Sequence, residues 1–111
     1  RIMSPVDPVA VIRNAIRSWP IAELAEFAEA RRGYMNTDGG YGVHYPDDLD
    51  DYDREVDGIV IPPGQVQVIG AWRADEVNVP ESLYLQVLAE ELDAAGRTED
   101  AARVRALIAA L

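Results

Sequence analysis

Apolar residues recur at helical spacing at both ends of the chain, and the sequence between those ends follows other rules. Val9, Ile12, Ile16 and Trp19 return every three or four positions, with Arg13, Asn14 and Arg17 on the opposite face. Asp7 before Pro8 supplies an N-cap followed by proline at the first helical position, which predicts a helix ending near Ser18. Pro20 restricts Trp19 and opens a second helix, with Ile21, Leu24, Ala25 and Ala28 on its buried stripe and Phe27 at the margin. Glu23, Glu26 and Glu29 face water, Arg31 and Arg32 suit the negative end of the helix dipole, and Gly33 is the expected stop. Residues 1–33 thus read as a short helical hairpin. Residues 80–111 read as another. Pro80 and Glu81 open a helix with the stripe Tyr84, Leu85, Val87, Leu88 and Leu92, closed by Gly96. Thr98 is placed to cap the last helix, whose stripe is Val104, Leu107, Ile108 and Leu111.

The period changes after Gly58. Ile59 to Ile61 reads as a short strand and Pro62-Pro63-Gly64 as a turn that no central strand would tolerate. Val66, Val68, Gly70 and Trp72 then alternate with Gln65, Gln67, Ile69 and Ala71, giving a second strand with one apolar face. Ala74-Asp75 is the next turn, and Glu76 to Val79 the third strand. Trp19 and Trp72, each on an apolar stripe, are expected in the core. At 111 residues the chain makes one domain. The fold class is α+β: a small antiparallel sheet of about three strands, a meander over residues 59–79, flanked by N-terminal and C-terminal helical hairpins.

Residues 34–58 show no periodicity. Gly39, Gly40 and Gly42 lie among Tyr34, Tyr41, His44, Tyr45 and Tyr52, which reads as a partly ordered surface excursion with a short strand near Tyr41 to His44. Its second half, YPDDLDDYDREVDG, crowds Asp47, Asp48, Asp50, Asp51, Asp53, Glu55 and Asp57 around a single cation, Arg54. Like charges so close repel unless water, ions or a basic partner screen them.

Charge sharpens the picture. The formal net charge is -10 and the pI near 4.3, which disfavours nucleic-acid phosphates and anionic membranes and favours a basic protein partner. All 10 cations are arginine, and with the alanine-rich helices this suggests a GC-rich bacterial coding bias. The absence of cysteine removes disulfides and thiolate metal sites and fits a cytoplasmic protein. No apolar run approaches the ~20 residues that span a bilayer. Arg1 and Ile2 precede Met3, which leaves them open as native or added residues.

No reaction is named by the residues. An EF-hand register anchored on Gly58 aligns Asp53, Glu55 and Asp57 but puts Gly64 where the closing carboxylate belongs. His44 is the only histidine, so two-histidine metal motifs are excluded, and with seven acids nearby no one carboxylate is singled out as its acid–base companion. Gly39-Gly40-Tyr41-Gly42 carries no basic residue to meet phosphate. No catalytic residue, metal ligand or cofactor is assigned. The tyrosines among the acids matter more, because aromatic anchors inside a charged rim are the anatomy of a specific interface.

A small, lysine-free, acidic α+β chain with a YPDDLDDYD loop beside an IPPGQVQVIGAW hairpin resembles the immunity proteins of bacterial polymorphic-toxin systems. The resemblance implies a non-catalytic protein that neutralises a cognate toxin domain by covering its basic active-site cleft. On that reading Tyr41, His44, Tyr45, Asp47, Asp48, Asp50, Asp51, Tyr52, Asp53 and Glu55 form the partner-binding surface. The alternative is a structural or regulatory module that oligomerises through its helical hairpins. The C-terminal pair superficially resembles one tetratricopeptide-type repeat, but a solenoid needs roughly three, so it reads as a lid on the sheet.

Overall fold

The computed structural model describes residues 7–73 and 75–111 and, of Arg73, the backbone alone. Arg1, Ile2 and the expected turn residue Ala74 lie outside the described residues. The elements are α1 (Pro8–Arg17), α2 (Ile21–Glu29), β1 (Tyr34–Asn36), β2 (Tyr41–His44), α3 (Asp51–Glu55), β3 (Gln65–Ile69), β4 (Val77–Pro80), α4 (Glu81–Ala94) and α5 (Thr98–Ala109). The class is α+β, as expected. The sheet has four antiparallel strands in the order β1-β2-β3-β4, one more than the sequence suggests.

One face of this sheet makes the core. The register Tyr34–Val43–Val68–Val77 puts those residues on the same side, with Val66 opposite Val79 beside them. Against them pack Ile12 and Ile16 of α1, Leu24 of α2, Leu85, Leu88 and Leu92 of α4, and Val104 of α5, nearly all fully buried. α1 packs on the sheet and on α4, and α2 on α5, each more than the two pack on each other. Asp7 caps α1 through a 3.0 Å bond from Val9 N–H, and Gly96 takes φ 78° after α4.

Six local readings change. α2 stops at Glu29, and Arg31 rather than a glycine takes the left-handed position, with φ 50°. Its side chain explains why a glycine would not serve: the guanidinium sits 2.9 Å from the buried carboxylate of Glu81. Gly33 is needed for a different reason, because a Cβ there would collide with the Val43 carbonyl and the Asp48 carboxylate. Residues 34–58 are more regular than the partly ordered excursion expected. They hold β1, the expected strand β2, a single turn at Pro46–Asp48, and α3. β1 is too short to show a period, and Tyr34 anchors it by donating its hydroxyl to Ala15 O at 2.8 Å.

Ile59 to Ile61 is not a strand, and the sheet neighbours of β3 are β2 and β4. It forms a strap joined to β4 by a 3.2 Å bond from Asn78 Nδ2 to Val60 O. Thr98 is the first residue of α5 rather than its cap, and Leu111, expected on the buried stripe, lies beyond the end of α5 and is exposed. Trp72 leaves the core altogether and is 64% exposed. β3 ends at Ile69, and positive φ at Ala71 and Trp72 breaks the alternation that had placed the indole inward. Trp19 stays at the core margin, against Phe27 and Tyr34.

Candidate interaction surface

The acidic stretch divides into two chemically different sets. Asp48 is a brace: its Oδ2 accepts the Tyr45 N–H at 2.7 Å and the Gly33 N–H at 2.8 Å, fastening the Pro46 turn to the residue that leads into β1. Asp50 and Asp53 cap α3 reciprocally, each side chain accepting the other's backbone N–H at 2.8 and 3.1 Å. Apart from the Gly33 N–H, these carboxylates meet N–H groups at helical starts, which offsets part of the repulsion that clustering imposes. Arg54 donates to Pro46 O at 3.3 Å, tying α3 back to the turn.

Asp47, Asp51, Glu55 and Asp57 are exposed, and no hydrogen bond holds their side chains. The Asp51 side chain is 92% accessible, and its ion pair with Arg54, at 3.9 Å, contributes little at a solvated surface. Between these acids stand Tyr52, Val56 and Val60, 62%, 64% and 71% exposed. Tyr52 and Val56 are four residues apart and therefore share a face of α3. The strap is pinned beneath by Ile59 N–H donating to Asp53 O at 3.0 Å, and by Leu49 and Ile61, which are buried apart from the main core.

Three expected contact residues sit elsewhere. Tyr45 is 1% exposed and belongs to the core, edge-on to Tyr84 at 6.4 Å, so it is not available as a surface anchor. Burial holds its phenol, and those of Tyr34 and Tyr84, well above the ordinary tyrosine range. The guanidinium of Arg31 lies 5.6 Å from the Tyr45 ring centre. Tyr41 is half-buried at the far end of β2, against Gly70. His44 is also half-buried, its Nδ1 shielded and without a protein partner.

His44 opens a polar row across the outer face of the sheet, His44–Gln67–Asn78, set by the strand register. Gln67 donates Nε2 to Glu76 Oε1 at 2.9 Å, and its own Oε1 is buried without a partner. Gln67, Glu76 and Asn78 form one wall of an open cleft of about 630 Å3, and Asp57 to Val60 of the strap form the other. The cleft offers hydrogen-bond acceptors but sets no nucleophile beside a base. Among the described residues, no three His, Asp or Glu side chains are grouped to hold a metal ion. Among the same residues, no helix is long and apolar enough to cross a membrane.

The sequence reading missed Val56, Val60 and Trp72 as surface residues and left Asp57 of the acidic stretch out of the partner-binding set. Val60 lay inside an apparent strand, and Trp72 on an apparent apolar face, so periodicity pointed both inward. The one visible signal was Gln67, a polar residue in a β-branched run. No known protein family, curated protein or solved structure matches the chain.

Proposed function

We propose that this chain is a non-catalytic inhibitor of the immunity type, which acts in the cytoplasm by covering the basic active-site cleft of a toxin domain. One observation carries the reading: exposed Tyr52, Val56 and Val60 stand among outward-facing Asp47, Asp51, Glu55 and Asp57 on α3 and its strap. An apolar centre inside a charged rim supports specific protein binding, the rim steering a cationic partner and the centre holding it. The net charge of -10 weighs against nucleic acid or an anionic membrane as the partner.

Capture from a lysate of the source organism, followed by an activity assay of the captured protein, tests the proposal. The captured protein should be basic and should lose its activity at one equivalent of this chain. Replacing Asp47, Asp51 and Asp57 by Asn and Glu55 by Gln should abolish both effects. Unchanged capture and inhibition by that variant would refute the reading. Sedimentation addresses the rival module that self-associates through its hairpins. Among the described residues, Leu111 is the one exposed large apolar side chain at the helical ends, so a monomer is expected.

A further inference from the structure

Trp72 is held outside the fold by unusual backbone. Ala71 and Trp72 are consecutive non-glycine residues with φ 45° and 55°, a region that bulky L-residues rarely enter. The Trp72 N–H donates to Gly40 O at 3.1 Å, and the indole lies so close on Gly40 that any Cβ there would strike its ring. The turn before β2 thus makes a floor for one side of the ring, and the indole remains 64% exposed. Tyr41 packs over Gly70.

In sequence, the two segments that carry the indole, residues 37–40 and 70–76, include the acids Asp38, Asp75 and Glu76 and the cation Arg73. A tryptophan face is itself electron-rich. An exposed aromatic plane carried by acid-rich segments, on a chain of net charge -10, fits a flat, weakly hydrated cation better than an apolar side chain. Among side chains that cation is the arginine guanidinium, which stacks on aromatic faces, where lysine presents a strongly hydrated point charge. We infer that Trp72 is a docking platform for an arginine of a basic protein partner. The inference rests on the basic-partner reading above and names a contact at the opposite end of the sheet from the Gln65–Pro80 pair, reached independently of the α3 rim.

Blocked tetra-arginine, tetra-lysine and tetra-citrulline peptides are the probes, titrated at fixed ionic strength into a Trp19→Phe background so that emission reports Trp72 alone. The arginine peptide should bind about threefold tighter than the lysine peptide and perturb the emission, with citrulline inert. Trp72→Gly and Trp72→Asn, both compatible with positive φ, should fold and bind the arginine and lysine peptides equally. Equal affinity for the two peptides in the Trp72 protein, or an arginine preference that survives both substitutions, overturns the inference. The variant neutralised at Asp47, Asp51, Glu55 and Asp57 keeps the arginine preference if Trp72 acts alone, whatever becomes of partner capture. Failure of the rim reading and failure of this one are therefore separate results.

Discussion

The two faces of the sheet are closed by different physics. The inner face is apolar and complete: Val43, Val66 and Val68 are fully buried beneath Leu85 and Leu88, which are equally enclosed. The outer face carries the row His44–Gln67–Asn78 and a strap held largely by single hydrogen bonds, with Leu49 and Ile61 as its apolar anchors. Burial of apolar area dominates stability, so the inner face holds the molecule together. The outer face is left free to spend its side chains on contact, and segments with few buried apolar groups are the ones that open first.

The strongest expected break of the inner face is alkaline. Tyr34, Tyr45 and Tyr84 all belong to the inner cluster, and burial raises each phenol above its ordinary value of 10.0. Folded pKa values above the unfolded ones mean that the folded state keeps protons the unfolded chain releases. Stability is therefore intact below pH 10 and falls as pH rises beyond it. Tyrosinate absorbance from these residues should appear together with loss of helical circular dichroism. Ionisation of all the tyrosines while helicity persists would contradict their placement.

Next in size, Leu88→Ala should cost about 3 kcal/mol in urea unfolding, against roughly 1 kcal/mol for Ile61→Ala, whose site can relax into solvent. Equal costs would make the strap part of the core and dissolve the contrast between the faces. A smaller test lies within the acidic stretch. Asp48→Ala removes the acceptor of two backbone N–H groups and should cost about 2 kcal/mol. Asp51→Ala should stay within about 0.5 kcal/mol.

The inner face was legible in the sequence because its signals are periodic. Tyr84, Leu85, Val87, Leu88 and Leu92 on α4, and Val66 and Val68 on β3, are buried where spacing places them. The outer face was not, for three physical reasons. β1 is only Tyr34–Asn36, shorter than any period can declare. Ile59 to Ile61 has strand composition but meets β4 through the Asn78 side chain rather than a backbone ladder, which local preference does not declare. Trp72 follows β3 in alternation, yet a turn with two left-handed residues re-aims it. In the candidate surface, charge counting found the acids but could not divide them. Asp48, Asp50 and Asp53 resemble Asp47 and Asp51 in sequence, and only the positions of Gly33, Tyr45 and the start of α3 assign them to capping.

That division is the central claim, and the salt dependence of partner binding tests it most directly. The variant with Asp47, Asp51 and Asp57 changed to Asn and Glu55 to Gln should keep the parent's unfolding midpoint while its affinity for the captured partner becomes weak and nearly independent of salt. A steep, unchanged salt dependence in this variant would contradict the account.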